Sequence, residues 1–188
     1  FHADTPLPLS DVMPILENMG FRVLGEHPYE AYDADGKCVW IHDFSLTTPL
    51  KQSLELSEIK VNFESLFQQV WSGEAENDGF NKLMISAYMN WREISVLRTY
   101  ARYMRQISVT ISQGFIANTL VSNVQLAQRI LDLFFCRFDP TLSDGRARNR
   151  APEDSEKDSK FGTLAASFLA DLDEVQSLTE DKILRLYL

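Results

Sequence analysis

The chain has 188 residues, 45% hydrophobic and 24% charged, with two cysteines and a formal net charge of −9. No apolar run approaches the roughly 18 residues a membrane-spanning helix requires, and two cysteines far apart in sequence read as reduced, packed thiols rather than a disulfide framework. An acidic balance gives poor long-range attraction for phosphate, which speaks against nucleic acid as a partner.

Residues Leu9 to Phe44 read helix, strand, turn, strand. Ser10 is placed to cap a short helix that holds Asp11 and Pro14. Val12, Ile15, Leu16 and Met19 share one side of it, and Gly20 supplies a left-handed stop. Phe21 and Val23 alternate with Arg22 and Leu24. Asp35-Gly36 makes a tight turn, after which Cys38, Trp40, His42 and Phe44 alternate with Val39, Ile41 and Asp43. Ile59, Phe63, Leu66, Phe67 and Val70 then recur at helical spacing. The order α-β-β-α is the middle of a β-α-β-β-α-β unit whose first strand is reduced to Phe1-His2-Ala3.

Past the turn-like cluster from Gly73 to Gly79 the patterning switches to helical. Asn90 followed by Glu93 has the spacing of a capping box, and Ile94, Leu97, Ala101 and Met104 form a stripe for burial. A helix from about Ile111 to Ser122 carries Phe115, Ile116 and Leu120. Asn123 can cap the next, in which Ala127, Ile130, Leu131, Phe134 and Phe138 share a face before Pro140. Ser143 to Lys160 holds no large apolar residue and reads as a charged linker. Phe161, Leu164, Ala165, Phe168, Leu169 and Leu172 resume helical spacing, and Thr179 is expected to cap a final segment with Ile183, Leu184 and Leu186. The expected fold is α+β: an incomplete ferredoxin-like βαββαβ unit over residues 1–77, then an all-α helical bundle over 78–188 with the linker at about 143–160.

The search for chemistry is mainly negative. The eight glycines are scattered and form no G-x-G-x-x-G turn or P-loop, so no phosphate cradle for a dinucleotide is recognisable. There is no C-x-x-C or H-E-x-x-H, so no metal site is expected. Cys38 and His42 share a strand face, but four strand residues span roughly 13 Å, too far for a thiolate–imidazole bond. They read as a packed thiol and an edge histidine. Glu74 with Glu76, and Asp171 with Asp173, read as solvated charges. No catalytic, cofactor-binding or metal residue is expected.

Charge is distributed unevenly. Residues 1–78 carry 4 basic and 14 acidic side chains, residues 79–138 carry 7 and 2, and the remainder 7 and 11. Arg98, Arg102 and Arg105 lie on one side of a helix; they read either as partners for acidic groups of the front half or of another domain, or as a docking face for an acidic partner.

The wording of several stretches is specific. Leu9-Ser-Asp-Val-Met-Pro-Ile-Leu-Glu-Asn-Met-Gly20, Glu26-His-Pro-Tyr-Glu30 and Val39-Trp-Ile-His-Asp-Phe44 resemble a regulatory, ACT-like segment of the large multidomain NAD-dependent glutamate dehydrogenases of bacteria. Trp71-Ser-Gly-Glu74, Asp78-Gly-Phe-Asn-Lys-Leu83, Trp91-Arg-Glu-Ile94, Leu97 to Gln106 and Phe138-Asp-Pro140 resemble the helical stretch that follows it, and Glu180 to Arg185 the start of the next helix. Pro49 to Glu58 and Ser143 to Lys160 match poorly. The resemblance implies that the longer enzyme oxidatively deaminates L-glutamate to 2-oxoglutarate with NAD in the cytoplasm. It implies no cofactor in this segment, whose role is regulation or scaffolding. Both ends read as cuts in a longer chain, with no initiator Met before Phe1 and a helical pattern still running at Leu188.

Two roles stay open from the sequence. A regulatory segment would take an amino-acid effector near the two ends of the first helix, at Ser10, Asp11, Asn18 and Gly20, where first-turn N–H groups suit a carboxylate. A purely structural module would dock other domains of the same polypeptide or a second copy without any ligand. In either case a homo-oligomer is expected, with Trp40, Phe44, Arg98, Arg102 and Arg105 as interface candidates, and with no nucleic acid and no membrane as partners.

Overall fold

The computed structural model describes residues 2–3, 6–32, 34–49, 56–107, 109–138 and 153–188. It divides into two compact units, Phe1–Ile94 and Ser95–Leu188. Pro140 and most of the predicted linker lie outside the described residues.

The first unit is built on one hairpin. β2 (Arg22–Tyr32) and β3 (Cys38–Thr47) pair antiparallel around the Asp35-Gly36 turn, where Gly36 sits at φ +80°. β1 (His2–Ala3) pairs antiparallel with the other edge of β3, at Trp40 and Val39. The sheet order is therefore β1-β3-β2. Because β1 and β2 both oppose β3, they run parallel to each other with β3 inserted between them. That is the split β-α-β arrangement the sequence predicts. Among the described residues, strands are confined to positions before Thr48.

α1 (Leu9–Asn18) makes the crossover and buries Val12, Ile15 and Leu16. Its start differs from the expectation. Pro8 occupies the cap position without any side-chain cap, and Ser10 lies inside the first turn, where its hydroxyl donates to Asp11 Oδ1 at 3.2 Å. The fixed φ of Pro8 begins the helix earlier than a serine cap would. The C-terminus matches the reading: Phe21 N–H donates to Leu16 O and Gly20 N–H to Glu17 O, both at 3.0 Å, the paired bonds of a Schellman stop. α2 (Leu56–Trp71) buries Ile59, Leu66 and Val70, and α1 packs against it.

A 3-10 turn (Gly79–Lys82) capped by Asp78 leads into α3 (Leu83–Ser86) and then α4 (Trp91–Gln106). Asn90 and Glu93 form the predicted capping box: Asn90 Oδ1 accepts from Arg92 and Glu93 N–H, and Glu93 Oε2 from Asn90 N–H at 2.8 Å. The buried stripe Ile94, Leu97, Ala101 and Met104 is likewise as read, each at 2% exposure or less.

The second unit contains α5 (Gln113–Ser122), α6 (Val124–Phe138), α7 (Glu153–Leu172) and α8 (Leu178–Arg185). α7 begins well before Phe161, so the end of the expected linker is helical. Periodicity misses this because Glu and Lys favour a helix with no apolar face to reveal it. α8 is capped by Ser177, which accepts from Glu180 N–H, and not by Thr179. The core joins Ile116, Leu120, Ala127, Ile130, Phe168, Leu172, Ile183 and Leu184. Tyr187, 5% exposed, donates its hydroxyl to Leu97 O at 3.1 Å.

Two outcomes follow from these contacts. A Cβ added at Gly20, where φ is +93°, would stand 2.7 Å from Ile85 Cγ2; Gly20→Ala should lose about 2 kcal/mol, read from urea midpoints. Burial holds the Tyr187 phenol far above its ordinary value. The stability this contributes is complete below the unfolded value of about 10 and is lost as pH rises above it. Tyr187→Phe should cost about 1 kcal/mol at neutral pH by removing the buried hydroxyl's bond to the Leu97 carbonyl, and it should flatten the alkaline fall in urea midpoint.

Candidate functional site

The hairpin register brings together a histidine and a carboxylate. Glu26 pairs with Phe44 and Pro28 with His42, so Glu26 and His42 project from the same sheet face one diagonal step apart. His42 Nδ1 lies 2.7 Å from Glu26 Oε1, and the Leu7 backbone N–H donates to His42 Nε2 over 3.2 Å. The side chains are 6% and 13% exposed. One ring form satisfies both bonds, a neutral imidazole that donates from Nδ1 to Glu26 and accepts at Nε2 from Leu7. His42 is therefore no edge histidine. It ties β2, β3 and the approach to α1 together.

Beside it is a cavity of about 450 Å³. Leu7, Val12 and Leu16 form one wall, His42, Phe44 and Leu46 the sheet wall, and Phe63, Phe67 and Trp71 the α2 wall. Ring stacking shapes two of these walls. Phe63 and Phe67 lie 6.0 Å apart, Phe67 and Trp71 6.1 Å, each four residues along α2, and His42 stacks on Phe44 at 6.3 Å. Phe63 also meets Phe21 edge-on at 5.5 Å, so the α2 stack is anchored at that end to the residue that precedes β2. Trp71, 44% exposed, stands where the cavity meets solvent. Size and lining match a small-molecule site with one polar wall.

The residues expected to hold an effector do not meet. Ser10 and Asp11 lie at the start of α1, Asn18 and Gly20 at its end, separated by about 12 Å of helix axis. Asn18 Nδ2 donates to Asn77 Oδ1 at 3.0 Å, and Ile85 closes the space over Gly20. Of the interface candidates, Phe44 lines the cavity and Trp40 is half-buried. Arg98 is buried at 5% exposure, whereas Arg102 and Arg105 are exposed. Cys38 is half-buried and Cys136 buried, both unpaired thiols. The Tyr32 phenol is raised above its ordinary value, first by its hydrogen bond to Glu30 and then by the charges of Glu30 and Cys38. No cluster of three metal-ligating side chains occurs among the described residues.

The His42–Glu26 pair was missed in the sequence. Counting outward from a two-residue Asp35-Gly36 turn sets Glu26 opposite Ser45, on the other face from His42, whereas the observed register, with Glu26 opposite Phe44, differs by one residue and brings the pair together.

Comparison with known proteins points to one source for these elements. Residues 1–59 match the family description "Glutamate dehydrogenase, ACT3 domain", and residues 75–140 match "Glutamate dehydrogenase, helical motif 3". The chain is 43% identical over 188 residues to the NAD-specific glutamate dehydrogenase of Halomonas elongata, covering all of this chain and 11% of that protein. The Pseudomonas aeruginosa protein of the same name gives 43% with the same coverage. That of Mycobacterium tuberculosis is 34% identical over 184 residues, 95% of this chain. The chain thus spans about a tenth of the length of these relatives.

Phe67 is the middle ring of the α2 stack. Phe67→Ala should widen the cavity and cost about 2 kcal/mol, below the range for a fully buried phenylalanine because Phe67 is half-buried; thermal or urea unfolding reads this.

Proposed function

As the chain belongs to the NAD-specific glutamate dehydrogenases, whose ACT3 domain and helical motif 3 it carries, we propose that it is a non-catalytic regulatory and scaffolding segment of such an enzyme. The observation that carries this reading is the succession of two family segments along one short chain, the first folded as a split β-α-β unit. On this reading the whole protein is a cytoplasmic homo-oligomer that oxidatively deaminates L-glutamate to 2-oxoglutarate with NAD, and the nucleotide binds outside this segment. The segment docks on other domains of its own polypeptide.

An effector, on this reading, enters the aromatic cavity of the first unit, beside the segment that leads through Leu7 to Ser10 and Asp11 at the start of α1. A cavity with eight apolar walls and one imidazole suits the apolar body of a small molecule.

The chain alone, mixed with glutamate and NAD, should give no rate above a blank and no saturable NAD binding by calorimetry. Measurable turnover, or micromolar NAD affinity, would overturn the non-catalytic reading. Calorimetry with a panel of amino acids separates regulation from pure scaffolding, because a heat signal abolished by Phe44→Ala identifies the cavity as the effector site.

A further inference from the structure

We propose that His42 is a proton-operated latch: protonation at Nε2 releases the Leu7 N–H and frees the segment entering α1, which opens one wall of the aromatic cavity. The segment Pro6-Leu7-Pro8 has a single backbone donor, because proline has no N–H. That donor, Leu7 N–H, is given to His42 Nε2. Pro8 then starts α1 without a side-chain cap, so the imidazole supplies the polar tie that a cap residue supplies elsewhere.

Protonation acts on the two ring bonds in opposite directions. The imidazolium has donors at both nitrogens. Nδ1–H keeps Glu26 and gains a charge-assisted bond, so the ring stays fixed to β2. Nε2–H then faces the Leu7 N–H, donor against donor at the former bond distance. With the ring held, the Leu7 segment is the part that moves. Two prolines make it stiff, so displacement passes to Leu7, itself a cavity wall.

Two described carboxylates share the ring's sheet face on β2: Glu26, bonded to Nδ1, and Glu30, opposite Trp40, which is exposed and accepts from the Tyr32 hydroxyl. Glu26 faces the ring from β2 and Phe44 stacks on it from β3. The cavity walls offer Val12 and Leu16 from α1 and Phe63, Phe67 and Trp71 from α2, none of them titratable. His27 and Asp43, paired with each other, sit on the opposite sheet face. Asp11 and Glu17 on α1 and Lys60 and Glu64 on α2 are exposed.

The latch rests on the regulatory reading for its purpose, but its test follows atoms and needs no dehydrogenase assay. Failure of one therefore leaves the other standing. Nitrogen-15 NMR of the histidine rings in the 188-residue chain is recorded from about pH 8 to about pH 5, with exchange protection of the Leu7 amide. At the upper end His42 should carry its proton on Nδ1 with Leu7 protected. As the ring charges, Leu7 should lose protection by about tenfold, on the scale of one hydrogen bond. His42→Gln offers an amide oxygen to Leu7 without titrating, so its Leu7 protection should stay constant over the range. An Nε2–H tautomer at the upper end, unchanged Leu7 protection while the ring charges, or a ring that stays neutral throughout would overturn the latch. So would an equal loss in His42→Gln. Should that variant not fold, the wild-type tautomer and protection decide the matter.

Discussion

The first unit depends on the register between β2 and β3. A strand has a side-chain period of two, so a slip of one residue between the strands would put Glu26 on the opposite face from His42, Phe44 and Leu46. Two features hold the register. Gly36 at φ +80° permits the tight turn, and the irregularity between Val23 and Gly25 takes up one residue where the strands meet α1. Pro28 stands opposite His42 within β2, at a position where a missing N–H also discourages addition of a further strand to that edge.

A consequence of this register is a polar interaction within an apolar layer. Two charges brought under a helical cover are costly unless paired. The tautomer required by Leu7 makes His42 neutral, so the layer holds one carboxylate that accepts a hydrogen bond rather than two desolvated ions. The arrangement couples three chain segments through four polar atoms, the Leu7 backbone nitrogen, the two ring nitrogens and Glu26 Oε1. The second unit uses other polar ties. There, Tyr187 brings one buried hydroxyl to the Leu97 carbonyl, while Arg129, which bonds Ser167 and lies 2.8 Å from Asp171 on α7, is a third exposed and so contributes modestly.

Legibility from sequence follows the range of each interaction. Periodicity is summed over many residues, so α1, the hairpin, α2 and the α4 stripe could be read directly. Gly20 and the Asn90–Glu93 box were legible because their chemistry is local and their spacing fixed. Cap identity was legible only where one candidate stood alone. At α1 the competition between Pro8 and Ser10, and at α8 that between Ser177 and Thr179, is decided by where the first buried turn falls, a tertiary matter. The start of α7 left no apolar trace. Glu26 and His42 are distant in sequence and have meaning as a pair only once the hairpin register is applied.

The same distinction explains why the cavity escaped the sequence. Phe63, Phe67 and Trp71 have the spacing of a core stripe, and that spacing predicts filling. Yet residues four apart on a helix also face one another, and aromatic rings that stack along the helix keep their area off the sheet. His42 on Phe44 repeats this on the opposite wall. The cavity is thus lined by one ring stack on α2 and one ring pair on β3. Within the wall that Leu7 shares with the buried Val12 and Leu16, Leu7 is tied to the sheet through its N–H on His42 Nε2, so its segment is the part of that wall that can move at least cost to the rest of the unit.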